Sequence, residues 1–165
     1  MGSYNGVPLH PLVVHAVVVF VPLAVLTAIV FAVVPRWRWL FRWPLVVLAL
    51  IGAASTFVAA QSGEALLETF RQVAAAQRHA SLALMFRWYS LGFSLVSLVS
   101  AFVLGGPSGL ASGRGARAGV GGRALQGVVA IVLVVAALVT LVQVVRTGDA
   151  GGRAVWFGTK VGTTG

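Results

Sequence analysis

The sequence contains no cysteine, and only three of its 165 residues are acidic. Without a thiol the chain can form no disulfide, no thiolate metal site, no iron–sulfur cluster and no covalent c-type haem. Asp149 is the only aspartate, so a catalytic set of nucleophile, base and orienting carboxylate cannot be assembled from these residues. We therefore expect a protein that is not an enzyme.

Charge is scarce throughout the chain. Charged residues make up 9% of the sequence and hydrophobic residues 59%, with a mean hydropathy of +0.97, whereas soluble domains carry about 25% charged residues. Too few charges remain to cover a surface facing water, so lipid must surround much of the protein. The pI near 11.9 does not indicate nucleic acid, because the twelve basic residues lie mainly in loops and at helix ends.

Long apolar runs predict a single integral membrane domain over residues 1–165. Each span needs about 20 apolar residues, which the sequence provides four times, at about 11–34, 44–60, 79–104 and 124–145. Residues 1–35 contain no Lys or Arg, so the basic start of a signal peptide is missing and the first run is expected to stay in the protein.

The segments between these runs differ in character. Residues 61–78 place apolar side chains at helical spacing behind Ser62 and Glu64, which predicts an amphipathic helix at the membrane surface. Residues 105–123 are rich in Gly, Ser and Arg and predict a flexible linker. The predicted fold class is all-α: a four-helix transmembrane bundle with an extracytoplasmic amphipathic helical segment and a Gly-rich C-terminal tail.

The basic loops predict the orientation in the membrane. Basic residues favour cytoplasmic loops, and they dominate the first and third loops, which contain Arg36, Arg38, Arg42, Arg114, Arg117 and Arg123. In the second loop Arg71 and Arg78 are balanced by Glu64 and Glu68. We expect a multi-pass protein of a bacterial plasma membrane with both termini extracytoplasmic.

With this topology all three histidines lie near the outer face. His10 and His15 are separated by about 140° around one helix and cannot chelate as a pair, while His79 approaches from another helix at similar depth. We expect His15 and His79 to face each other across the bundle. Three roles remain open: hydrogen bonds to loop carbonyls, axial ligation of a haem b by His15 and His79, or a metal site formed by His10, His15 and His79.

Arg87 and the tail complete the candidate site. Arg87 lies about 12 Å beyond His79 on nearly the same helix face. It is interpreted either as the partner of an anion or a haem propionate or as a marker of the true start of its span. Thr147–Gly152 does not match a phosphate loop. We predict a tight turn there that folds the tail over the outer face, formed by Gly148, Asp149, Gly151 and Trp156.

The chain resembles an uncharacterised bacterial family of four-span membrane proteins, domain of unknown function 2231. Its opening signature, Leu-His-Pro-x-x-Val-His, is similar to residues 9–15. A Ser-Gly-Glu step followed by His corresponds to residues 62–64 and His79, and a Gly-x-Ser/Ala-Gly turn before Ala-x-Trp corresponds to residues 148–151 and 154–156. The resemblance implies a four-span fold and no particular activity, and the Ala/Val/Arg-rich composition is of an actinobacterial kind.

These observations lead to one functional expectation and two alternatives. We expect a non-enzymatic membrane subunit or accessory protein in contact with the lipid bilayer, with other membrane subunits or a homo-oligomer as partners and no nucleic acid. Its tail is expected to dock on the histidines. The alternatives are a haem b protein for electron transfer or redox sensing, and a protein that binds a metal ion at the same cluster.

Overall fold

The computed structural model describes residues 3–4, 7–67 and 74–158. Within them the chain forms four long helices: α1 (Leu9–Val33), α2 (Arg38–Leu67), α3 (Ala74–Val103) and α4 (Arg123–Gly158). A 3-10 turn at Pro35–Trp37 joins α1 to α2, and two-residue strands β1 (Ser3–Tyr4) and β2 (Val7–Pro8) pair antiparallel before α1. Each of the four helices is long and apolar enough to cross a membrane. The predicted four-helix fold class is confirmed.

The helices alternate in direction and form two hairpins. α1 packs most extensively on α2, and α3 on α4, while α2–α3 and α1–α4 contacts close the bundle. The starts of α1 and α3 therefore meet the ends of α2 and α4. We call this the histidine end, after His10 and His79, and the opposite end the arginine end, after Arg38 and Arg42.

Small residues let α1 and α2 approach closely. A Cβ atom at Gly52 would lie 3.1 Å from Cγ2 of Val21, and Ala24, Ala28 and Ala49 are buried along the same contact. Helices in lipid associate through close packing rather than through the exclusion of water, so small residues are favoured at their interfaces. The aliphatic side chains on the outer faces of all four helices are exposed and suit contact with lipid.

Four helix boundaries differ by more than two residues from the predicted spans. α2 begins at Arg38 and includes Pro44, which lies beyond the first turn and is tolerated in a membrane helix because neighbouring groups can satisfy the freed backbone carbonyl. Residues 61–67 of the predicted amphipathic segment continue α2, residues 74–78 begin α3, and residues 68–73 lie outside the description. α4 has 36 residues, a length of about 54 Å.

The predicted turn at Thr147–Gly152 is wrong, because these residues lie inside α4. Glycine lowers intrinsic helix propensity by only about 1 kcal/mol per residue, and packing against α3 can outweigh that preference. Asp149 and Arg153 add an exposed i,i+4 ion pair at 2.9 Å. The tail is thus a continuation of the fourth span as far as Gly158.

Arg38 holds the arginine end together. Its guanidinium is 7% exposed and donates from Nε to the carbonyl of Phe31 at 2.9 Å, and from its two terminal nitrogens to Gly105 and Ala32 at 2.8 Å each. The last carbonyls of a helix have no partner within the helix. One side chain of α2 therefore caps the end of α1 and fixes the chain just beyond α3.

The Gly-rich segment between α3 and α4 is more ordered than the predicted flexible linker. Gly106 and Arg117 exchange two backbone hydrogen bonds, and Val120 donates to Val103. A Cβ atom at Gly109 would lie 2.9 Å from Nε1 of Trp39, so the segment rests on that ring. The side chains are mostly exposed, but the backbone follows a defined path.

One face of α3 forms a buried serine seam that the sequence analysis missed. Its members recur at intervals of three and four residues, and are Ser90, Ser94, Ser97 and Ser100. Ser94 donates to Ala49 of α2 at 2.8 Å, and Ser90 bonds Thr56 at 2.6 Å. The recurrence of Ser on one helical face was the available signal.

Candidate binding site at the histidine end

His10 links α1 to α2. Its Nδ1 lies 3.0 Å from the carbonyl oxygen of Ala59 and 3.2 Å from Oγ of Ser62. A carbonyl can only accept, so Nδ1 carries the proton and donates. The ring is half-buried, and its polar edge is thereby tied to the last turns of α2.

His79 links α3 to α4 in the same manner. Its Nδ1 donates to the carbonyl oxygen of Thr147 at 2.9 Å. Thr147 lies within α4. Because α4 continues as a helix beyond the predicted end of the fourth span, it places the carbonyl of Thr147 beside His79. Thr147 is itself 8% exposed, and its Oγ1 has no hydrogen-bond partner in the described part of the chain.

The two histidines occupy equivalent positions in the two hairpins. Each ring bonds a carbonyl on the second helix of its own hairpin, and a glycine follows that carbonyl by four residues, Gly63 after Ala59 and Gly151 after Thr147. A Cβ atom at either glycine would lie 3.0 Å from Cε1 of the ring. We call each arrangement a histidine bracket. The two brackets make the histidine end approximately two-fold symmetric.

The brackets bring the two rings together across the diagonal of the bundle. The ring centroids are 6.3 Å apart and the planes are inclined by 80°. In a neutral imidazole whose Nδ1 donates, Nε2 carries the lone pair. Histidines that bind metals commonly donate their second ring nitrogen to a backbone carbonyl. Both rings show that arrangement.

A small cavity of about 60 Å³ lies beside the pair. Its polar lining comes from His10, His79, Thr56 and Thr147, and its apolar lining includes Val14, Val17, Ala83, Phe86 and Val144. No Asp or Glu is among the lining residues of the part of the chain that is described. The space suits an ion or a few water molecules.

A family model described as "Predicted membrane protein (DUF2231)" matches residues 6–165. The chain belongs to the DUF2231 family. This confirms the resemblance inferred from the motifs, and the matched range contains both histidine brackets. No curated protein and no solved structure matches the chain. The family description gives a membrane location and no activity.

In this DUF2231 chain His15 does not face His79, so that expectation was wrong. The ring of His15 is exposed, and its Nδ1 bonds the carbonyl oxygen of Pro11 at 2.6 Å within α1. His10 takes the position facing His79 instead. Among the described residues no three of the His, Asp and Glu side chains come together in a way that could hold a metal. The predicted trio of His10, His15 and His79 is therefore not assembled.

Arg87 lies two turns beyond His79, well inside α3, which begins at Ala74. The helix therefore begins before Arg87, and the start of the membrane span near Arg87 stays a prediction. Its guanidinium packs 6.0 Å from the ring centroid of Phe57 and 5.4 Å from that of Trp88, and its buried Nε has no hydrogen-bond partner among the residues that the structure describes. The residue is held by aromatic contacts, and its role toward an anion stays a prediction.

The remaining predicted residues divide between the cavity and the surface. Gly148 lines the cavity and Gly151 supports the ring of His79. Asp149 is exposed and bonded to Arg153. The side chain of Trp156 lies outside the described part of the chain. Contact of the tail with the histidines is therefore seen at residues 147–151.

Proposed function

We propose that this DUF2231 protein is a non-enzymatic protein of the bacterial plasma membrane that binds one copper ion between Nε2 of His10 and Nε2 of His79. The observation that carries this proposal is the pair of equivalent histidine brackets. Each bracket fixes a ring through Nδ1, and within the described residues Nε2 remains available to bind a metal.

The spacing of the rings supports a single ion between them. Metal–imidazole bonds are about 2 Å long, and the nitrogen lies roughly 1 Å in front of the ring centroid, so two rings on one ion have centroids about 6 Å apart when they approach from opposite sides. The observed separation is 6.3 Å. Rings from two hairpins that are approximately related by symmetry would contribute equal bonds.

The donor set favours copper. Imidazole suits several late transition metals, and copper is bound most strongly in the divalent series. The described lining of the cavity contains no carboxylate, which disfavours hard cations such as Ca²⁺ and Mg²⁺ because they prefer oxygen ligands. Zinc sites normally supply three or four protein ligands, and only two histidines are present here.

The site does not fit the haem alternative. Pockets for cofactors of that size have volumes of about 300–1,000 Å³, against about 60 Å³ for this cavity. The predicted axial pair is also broken, because His15 is exposed and bonded within its own helix. A porphyrin between His10 and His79 would require the two hairpins to separate.

Metal analysis of the purified protein tests the proposal. After loading with Cu(II) and removal of excess, the wild type should retain one copper per chain. His10→Ala and His79→Ala should each retain less than about one tenth of that at equal free copper, since one of two ligands is lost. His15→Ala is the matched control and should retain one copper.

Circular dichroism on the same samples establishes that the variants are folded. Equal loss of copper in His15→Ala, or a wild type that retains none, would contradict the proposal. A Soret band in the protein as isolated would identify haem as the ligand instead.

Orientation is part of the proposal and has its own test. The six arginines in the first and third loops support a cytoplasmic arginine end. Gln61 and Ser112 are exposed at opposite ends, so Gln61→Cys should react with an impermeant thiol reagent on intact cells and Ser112→Cys should not. The reverse pattern would place the histidine end in the cytoplasm. We also propose that the protein works as an accessory subunit, which co-purification with a membrane complex would test.

A further inference from the structure

Arg42 is buried without adequate partners. Its side chain is 8% exposed, yet its one hydrogen bond is a long contact of 3.4 Å from a terminal nitrogen to the carbonyl of Leu104. Its Nε has no partner within the described residues. Arg38, one turn away and equally buried, makes three bonds of 2.8–2.9 Å. The contrast shows that burial at this end does not by itself leave an arginine unsatisfied.

Nearby charges make the position of Arg42 less favourable. The backbone of Arg117 pairs with Gly106, two residues beyond the residue whose carbonyl Arg42 contacts. The positive charge of Arg117 is thereby brought near that of Arg42, which also lies near the positively polarised start of α2. The described acidic residues, Glu64 and Asp149, lie at the histidine end. A buried cation without a counter-charge is costly. An anion beside Arg42 and Arg117 would remove that cost.

The surface beside the two arginines suits the apolar part of a lipid. The guanidinium of Arg117 lies 5.5 Å from the ring centroid of Phe102, and Trp43 packs on the same ring at 6.3 Å. Trp43 is 58% exposed and Phe102 46% exposed. Trp is enriched where the membrane core meets the headgroups. The basic groups therefore adjoin aromatic rings of the kind that is enriched near lipid headgroups.

We propose that the phosphate of an anionic phospholipid binds between Arg42 and Arg117, with an acyl chain lying along Phe102 and Trp43. Arginine forms short, charge-assisted bonds to phosphate oxygens, and basic pockets between spanning helices bind anionic headgroups. This inference concerns the arginine end and is independent of copper binding.

Native mass spectrometry of the detergent-solubilised protein, titrated with phosphatidylglycerol, tests the proposal. The wild type should bind one phosphatidylglycerol more tightly than phosphatidylcholine by at least tenfold. Arg42→Gln and Arg117→Gln should each weaken that binding about fivefold, because each variant loses the contribution of one basic residue to the affinity. Arg114→Gln removes the same charge from an exposed position of the same loop and should leave the affinity within twofold.

A substitution of the buried Arg42 can disturb folding, so a loss of lipid binding in Arg42→Gln is not decisive alone. Arg117 is exposed, so Arg117→Gln tests the same site in a folded protein. Equal binding of phosphatidylcholine, or equal weakening in Arg114→Gln, would overturn the proposal. Inorganic phosphate separates the two sources of the anion. If inorganic phosphate competes only at concentrations far above those of phosphatidylglycerol, the result supports a lipid as the ligand. If inorganic phosphate competes as well as phosphatidylglycerol does, the proposal is overturned.

Discussion

Replacement of Arg38 by lysine should destabilise the bundle severely although it conserves the charge. The guanidinium reaches the carbonyls of Phe31, Ala32 and Gly105 at once, with bonds of 2.8–2.9 Å. A lysine ammonium is a single point and cannot reproduce the fork of an arginine. The substitution should therefore abolish two of the three bonds and leave their acceptors buried.

The magnitude follows from those two bonds. A hydrogen bond to a charged group contributes about 1.5–3 kcal/mol to stability, so the loss lies between about 3 and 6 kcal/mol. Water at the membrane surface can partly satisfy the freed carbonyls. We therefore expect a value near the lower limit, about 3 kcal/mol.

Reversible unfolding in mixed detergent micelles measures this free energy directly. Arg36→Lys is the matched control, because Arg36 is exposed and its guanidinium packs on the ring of Trp37 rather than on backbone carbonyls of the described residues. It should change the free energy of unfolding by less than about 1 kcal/mol. If Arg38→Lys changes it by no more than this control, the capping role assigned to Arg38 is refuted.

Two further pairs of variants test the interior. Gly151→Ala should weaken copper binding at least tenfold, because the new Cβ would lie 3.0 Å from Nδ1 and Cε1 of His79. Gly152→Ala places its Cβ in open space and should leave the copper affinity unchanged. Equilibrium dialysis measures both affinities. An equal loss of affinity in Gly152→Ala would contradict the steric explanation. Ser94→Ala should lower the free energy of unfolding by about 1–3 kcal/mol, because it removes a buried bond to Ala49. Ser97→Ala removes a hydroxyl that has no partner among the described residues and should be neutral or stabilising in the same assay. A larger loss than for Ser94→Ala would refute the assignment.

The four spans were predictable because membrane insertion depends on apolar length, which is a local property of the sequence. The C-terminal boundary was not predictable in the same manner. Four of the six residues from Gly148 to Arg153 are glycine or aspartate, whose local preference is for a turn. Packing of α4 against α3 outweighed that preference, and a contact between distant parts of the chain cannot be read from a short window.

The candidate site was predictable only in part. The spacing of His10 and His15 correctly placed them on different faces of α1. It could not show which face is internal, because α1 is apolar all round and has no polar stripe to mark its lipid side. The glycine in contact with each ring lies four residues after the carbonyl that the histidine bonds. The sequence does not reveal which carbonyl is the acceptor, so these glycines could not be assigned to the site in advance.

The histidine brackets have a consequence for the biogenesis of the protein. Each bracket closes within one hairpin, joining His10 to Ala59 and His79 to Thr147. The first can therefore form before the third helix has been synthesised, and each hairpin can fix the register of its own helices on entering the membrane. The contact between the two rings forms only when the inserted hairpins associate, the later stage of helical membrane-protein folding. Loss of one bracket should thus impair the insertion of its own hairpin, while the other hairpin still reaches its native register.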